Sequence, residues 1–221
     1  MLAVLSLTDN PERFQASLRT RLQDSLPGRD AQKRMAPMPR KLSPEPNSSP
    51  RRSAVLLPLF EKRGMVHILL TIRQENLNHH GGEIGFPGGV MEPEDTNLTE
   101  TALRETEEEL GLPRENVGIL GRLTPLYIPP SDNLVQPFVG WVTCPPTLAP
   151  NDVEVARILQ VPLELLLRPD TIQRDLWYID QRVLRVPYYQ FDDYEIWGAT
   201  AMIISEFLVL VEQVLERAIS H

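Results

Sequence analysis

The sequence predicts a mixed-sheet α/β sandwich, and three observations carry that reading. Short β-rich runs are interleaved with a few amphipathic stretches, and they do so without strict βαβ alternation. Apolar residues make up 42% and charged residues 24% of the chain, an ordinary globular balance that can bury a core. The length, 221 residues, suits one large core with appendages.

The elements follow in order. Asn10 before Pro11 reads as an N-cap with proline at the first helical position. Phe14, Leu18, Leu22 and Leu26 then recur every fourth residue, predicting an amphipathic helix that stops at Pro27 and Gly28. Prolines at 37, 39, 44, 46 and 50, mixed with serine, asparagine and basic residues, predict a linker without helix or sheet through 35–52. From Ser53 the texture changes. Residues 54–60 and 65–72 are apolar runs around the turn Glu61-Lys62-Arg63-Gly64 and read as a hairpin. Strands are also expected at 117–127, 134–144, 172–179 and 182–189, and helices at 97–110, 162–168 and 200–218. In the last of these, Met202, Ile203, Phe207, Leu210, Val211 and Val214 form a helical stripe read as core. The division is thus a helix and proline-rich basic arm over 1–52 and a folded domain over 53–221.

Charge and cysteine usage narrow the function. The net charge is −8, yet residues 1–52 carry +5 and residues 53–221 carry −13. An acidic body argues against nucleic-acid binding and fits a cation-dependent site. The arm reads either as a solvated tail or as a clamp for a phosphorylated substrate. Cys144 is the only cysteine, which excludes an internal disulfide and a cysteine zinc cluster and fits a reducing cytoplasm. The apolar run 1–7 is too short for a signal peptide, and Glu206 and Glu212 interrupt the apolar C-terminus, so no membrane span is expected.

The most informative segment is Arg104-Glu105-Thr106-Glu107-Glu108-Glu109-Leu110-Gly111-Leu112, preceded by Phe86-Pro87-Gly88-Gly89. At helical spacing Glu105, Glu108 and Glu109 share one face, while Leu103, Thr106 and Leu110 point into a core. Like charges at that spacing cost about 0.2–0.5 kcal/mol per pair. Acids in the last turn oppose the helix macrodipole by roughly 0.3–1 kcal/mol each. Such a face is either solvated or built for a hard divalent cation, which prefers oxygen ligands. Two glycines about 15 residues upstream let backbone carbonyls approach a ligand or metal, and favour the second reading.

The segment resembles the signature of the Nudix hydrolases, with Gly89 at the opening glycine and Arg104, Glu105, Glu108, Glu109, Gly111 and Leu112 at the second half. Asp95 stands where that signature has its first glutamate, one residue further from Arg104 than usual, and polar Thr106 fills an apolar slot. Upstream, Leu69-Leu70-Thr71-Ile72-Arg73, then Gly82 and Phe86-Pro87-Gly88-Gly89, resemble the extra motif of the coenzyme A diphosphatase branch. There Gln74 replaces a serine and Asn78 an arginine. Val161-Pro162-Leu163, Ile196-Trp197-Gly198-Ala199-Thr200-Ala201 and, in the arm, Met35-Ala36-Pro37 are similar to other segments of that branch.

The resemblance implies a Nudix-type α/β/α sandwich with a mixed sheet and hydrolysis of a diphosphate linkage. The expected substrate is coenzyme A or an acyl-CoA, cleaved to 3′,5′-ADP and a 4′-phosphopantetheine product. Mg²⁺ or Mn²⁺ is the expected cofactor, held by Glu105, Glu108, Glu109 and the Gly88 carbonyl, with Arg104 orienting the acids and Arg73, Gly88 and Gly89 on the diphosphate side. The general base is left among Glu108, Asp152 and Glu154. ADP-ribose or another nucleoside diphosphate derivative is the alternative substrate. A non-catalytic nucleotide sensor and a scaffold that recruits partners through the arm are the alternative classes. Nudix proteins are often homodimers, and one is expected here. Trp197, Tyr188 and Tyr189 read as core packing, or as a stack for adenine or a dimer face. His79 and His80 read as loop residues without metal.

Overall fold

The computed structural model describes residues 11–41, 43–46, 48–75, 82–143, 147–179 and 181–219. Asn10, Asn78, His79, His80 and Cys144 lie outside the described residues.

An eight-stranded mixed sheet forms the centre. Strand β1 (Arg51–Lys62) turns through Arg63 and Gly64 into β2 (Met65–Arg73), the expected hairpin. Strand β3 (Ile84–Gly85) extends β2, and β4 (Gly88–Val90) pairs with β1. Strands β5 (Val117–Arg122), β6 (Leu126–Ile128) and β7 (Asn133–Val142) complete one flank, with β7 parallel to β1. Strand β8 (Val155–Pro162) closes the other flank against β2. Beyond it, β9 (Ile172–Ile179), β10 (Arg182–Phe191) and β11 (Tyr194–Ile196) form a separate antiparallel sheet. The helices are α1 (Pro11–Arg21), α2 (Gly28–Lys33), α3 (Leu98–Leu110), α4 (Leu163–Leu166) and α5 (Gly198–Ile219).

Side-chain alternation along β1 divides the core into two layers. Ala54, Leu56 and Phe60 join Ala102 and Leu110 of α3, whereas Leu57 and Leu59 join Phe207, Leu210 and Val211 of α5 on the other face. Each fully buried leucine contributes roughly 1.5–3 kcal/mol, so a one-residue register slip in β1 would exchange both layers at once.

The N-terminal segment packs on this body. Phe14, Leu18 and Leu22 are buried in the α5-side layer, as are Met35 and Ala36. Helix α1 is shorter than the periodicity predicts: after Arg21 the chain tightens through i→i+3 bonds at Gln23 and Asp24. The linker is also more ordered than its prolines suggest. Met38 exchanges two 3.0 Å backbone hydrogen bonds with Arg185 of β10, and β1 begins at Arg51. Glu206 of α5, fully buried, accepts from Gln32 Nε2 at 2.8 Å, Thr124 Oγ1 at 2.6 Å and Gly28 N at 3.2 Å, tying the arm to the body. Helix α5 is long and apolar enough by composition to cross a membrane, but most of it is buried within the protein.

Candidate active site

Helix α3 is capped at both ends by its own sequence. The Asn97 side chain accepts from Thr99 N at 2.8 Å and Glu100 N at 3.2 Å, satisfying N–H groups that the helix leaves free. Gly111, in the left-handed region at φ 63°, ends it and donates to Glu107 O. Thr106, polar in an apolar slot, is 1% exposed and donates to Ala102 O at 2.7 Å, so its hydroxyl is satisfied inside the helix.

The start of the helix is held by Asp95. Its carboxylate accepts from Glu92 N, Thr101 Oγ1 and both Nε and Nη2 of Arg104, the last two at 3.0 and 3.1 Å. The Arg104 guanidinium, with Thr101 and the Glu92 amide, brings the Asp95 carboxyl down to about 2. Asp95 in turn holds the Arg104 guanidinium above its ordinary value. Arg104 Nη1 reaches Glu105 Oε1 and Glu108 Oε2, each at 3.0 Å. One cation therefore spans Asp95, Glu105 and Glu108. Asp95, which stands at the first-glutamate position one residue further from Arg104, reaches it because the extra loop residue is absorbed by the turn 92–95, closed by Asp95 N to Glu92 O.

The three glutamates of the predicted face differ sharply in environment. Glu109 is 3% exposed, Glu105 15% and Glu108 56%. Burial pushes the Glu109 carboxyl up to about 8, with the charges of Glu105 and Glu154 adding to the effect and Arg73 and the Gly88 amide opposing it. Burial raises Glu105 as well, against the pull of Arg104. Glu109 Oε2 is buried with no hydrogen-bond partner among the described residues. An unpaired buried carboxylate oxygen is costly unless something positive meets it. Arg73, at the end of β2, supplies part of that charge: its Nη1 lies 3.5 Å from Glu109 Oε1.

The glycines let the backbone come close, Gly88 to β1 and Gly89 to the end of the Glu105 side chain. A Cβ on Gly89 would overlap the Glu105 carboxylate, and one on Gly88 would overlap Ala54 O and Val55 Cα of β1. The Phe86-Pro87-Gly88-Gly89 turn thus lets the backbone of β4 touch both the central strand and an acid of α3.

The loop before β8 brings a further acid. Ala149 N donates to Leu110 O and Asn151 N to Glu109 O, each close to 3 Å, which sews this loop onto the end of α3. Glu154, half-buried, thereby acts electrostatically on both Glu105 and Glu109. Asp152 is exposed and contributes its carbonyl to Gln74. Among the described residues, no three acidic or histidine side chains already converge on a metal-sized gap. The orphaned oxygen of Glu109, the neighbouring Glu105 and Glu154 and the hard oxygen character of the whole set nonetheless fit a divalent ion. Trp177 of β9, to which no sequence pattern points, stands 5.6 Å from Tyr188 and 5.2 Å from Trp197, centroid to centroid.

A NUDIX domain family model matches residues 50–181, more than half of the chain, and the chain belongs to that family. It is 38% identical over 213 residues to an uncharacterized Nudix hydrolase, NudL, of Photorhabdus laumondii, covering 95% of this chain and 100% of that one. A second uncharacterized NudL, of Yersinia enterocolitica, is 39% identical over 167 residues, covering 73% of this chain and 83% of the other. The crystal structure of a MutT/nudix family protein from Enterococcus faecalis shares the fold, with a TM-score of 0.52 at 18% identity over 79% of this chain and 69% of that one. The α/β sandwich with a mixed sheet is therefore the Nudix fold, and the protein is a hydrolase acting on pyrophosphate bonds. Nudix hydrolases generally use divalent metal ions such as Mg²⁺ or Mn²⁺.

Proposed function

We propose that the chain hydrolyses the diphosphate of coenzyme A or an acyl-CoA, releasing 3′,5′-ADP and the corresponding 4′-phosphopantetheine. The observation that carries this reading is the meeting of Arg73 with Glu109. Arg73 ends the Leu69–Arg73 run that resembles the coenzyme A diphosphatase branch, and it stands 3.5 Å from the most buried acid of the Nudix helix. Among the described residues of that motif, Arg73 N donates to Glu83 O and Gly82 N to Arg73 O, and β3 pairs with Thr71 and Ile72 just before Phe86-Pro87-Gly88-Gly89.

Glu105, Glu109, Glu108 and the Gly88 carbonyl are the groups that would hold the ion. A bound divalent ion supplies charge neutralisation for the diphosphate and acidification of a water. Arg73 places a guanidinium against a diphosphate oxygen, where its fork matches two acceptors. Arg104 acts as a positioning residue, since its donors are already taken by Asp95, Glu105 and Glu108. Glu154 is the general base this geometry favours: it faces the Glu105 and Glu109 pair, whereas Glu108 is engaged by Arg104 and Asp152 is exposed. The acidic body and lone cysteine support a cytoplasmic enzyme.

The test is product analysis on coenzyme A, ADP-ribose and NADH with Mg²⁺ or Mn²⁺, resolving 3′,5′-ADP from AMP. Turnover of coenzyme A to 3′,5′-ADP at the highest kcat/KM of the three supports the assignment. Preference for ADP-ribose or NADH overturns the substrate and keeps the chemistry.

A further inference from the structure

A cavity lies between the N-terminal arm, α4, the β9–β10 sheet and α5. It has a volume of about 390 Å³, within the range of small-molecule sites, and none of its lining residues belongs to the acid site. Its apolar wall includes Met35, Leu166, Tyr189 and Leu208, all members of the α5-side layer. Glu109, by contrast, sits on α3, whose Ala102 and Leu110 belong to the opposite layer.

The mouth is basic. Arg34, Arg168 and Arg174 line the cavity against one acid, Glu212. Arg168 is committed to Asp170 through two hydrogen bonds, at 3.1 and 2.6 Å. Arg34 and Arg174 form no ion pair among the described residues. An apolar pocket with two uncommitted guanidinium groups at its mouth matches an anionic head on an apolar body.

The apolar surface does not end at the mouth. Ile172, Arg174, Leu176 and Tyr178 share one face of β9 by strand alternation, and Val183 of β10 stands opposite Tyr178. Leu176, Tyr178 and Val183 are 71%, 74% and 61% exposed, and they continue the floor outward for about 13 Å at ~3.3 Å per residue. Exposed apolar side chains aligned with a basic cavity give a tail somewhere to lie.

We propose that this cavity binds an amphipathic anion, a carboxylate or phosphate monoester on an alkyl or acyl chain, as a site distinct from the diphosphate centre. Because Arg34 and Met35 come from the N-terminal arm and Tyr189 and Leu208 from the body, the ligand bridges the two. Its occupancy therefore strengthens the docking of the arm.

Calorimetric titration of the full chain with octanoate, octyl phosphate and octyltrimethylammonium tests this, repeated on Leu208→Trp, which narrows the cavity, and on Arg34→Gln/Arg174→Gln, which leaves the apolar wall intact. Saturable one-site binding of either anion, weakened at least tenfold in both variants, is expected, with no binding of the cation. The anion that binds more tightly identifies the head group. Equal binding of anion and cation, undiminished binding by the arginine double variant, or no binding of either anion overturns the proposal. So does a concentration-dependent dimer, seen by sedimentation, that Tyr178→Asp abolishes while no anion binds, because the face then belongs to a second copy.

Discussion

Arg73 Nη1 lies 3.5 Å from Glu109 Oε1 and joins the end of β2 to the last turn of α3. This pairing leaves Glu109 under-compensated. Arg73 is itself a third exposed, and burial still pushes Glu109 up to about 8. The acid is thus held nearly ready for a stronger positive partner, which a divalent ion provides.

Glu109→Gln keeps the shape of the side chain and removes the charge. Turnover is expected to fall by about 10²–10³ or more, with the circular dichroism spectrum unchanged. Steady-state kinetics on the best substrate checks this, and a fully active Glu109→Gln enzyme would show that the acid has no part in the chemistry.

The folded-state value of about 8 for Glu109, against 4.5 for an ordinary glutamate, sets a pH dependence. Between those values the folded chain retains a proton that the unfolded chain has lost. Its contribution to the stability of the metal-free protein is therefore greatest below about pH 4.5 and declines as pH rises toward 8. Thermal melts in chelator should show a steeper loss from pH 5 to 8 for the native chain than for Glu109→Gln, and Mg²⁺ should reverse it. Parallel curves for the two would contradict the shift.

Gly89→Ala places a methyl group where the Glu105 carboxylate lies. The acid must move, and displacements of about 1 Å commonly cost up to 10²-fold in rate. A kcat loss of about 10- to 100-fold with a melting temperature within a few degrees of native is expected. Unchanged kcat would mean that Glu105 does not need its observed position.

Asp95→Ala strips Arg104 of its principal partner while leaving the guanidinium 15% exposed. Arg104 keeps Glu105 and Glu108, so the cost is that of the lost hydrogen bonds, about 1–3 kcal/mol, to be read by urea denaturation. Activity should fall as well, since Arg104 no longer fixes Glu105. A stability change near zero would assign the anchoring of α3 to Asn97 alone.

What the sequence made legible was local. Helix α3, its acid face, its Gly111 end and the β1–β2 hairpin all follow from spacings of a few residues, and they appear where the pattern puts them. The strands β3 and β4, only two and three residues long, sit in glycine-rich sequence that argues against a strand, and exist because β1 and β2 offer free edges. Strand β8 carries exposed Ala156 and Arg157 between buried residues and so shows no clean alternation. Residues 35–52 read as linker by composition, yet Met38 pairs with Arg185, and just before them Gln32 meets Glu206, 174 residues away, at 2.8 Å, contacts that no local pattern encodes. Glu154 comes to Glu109 the same way, through the hydrogen bond from Asn151 N to Glu109 O.

Manganese binding measured by electron paramagnetic resonance on the native chain, Glu105→Gln and Glu109→Gln addresses the buried acids themselves. The native chain should bind Mn²⁺, with affinity reduced at least tenfold in each variant while the fold is retained. Equal Mn²⁺ affinity in all three proteins, or no binding by the native chain, would contradict the account.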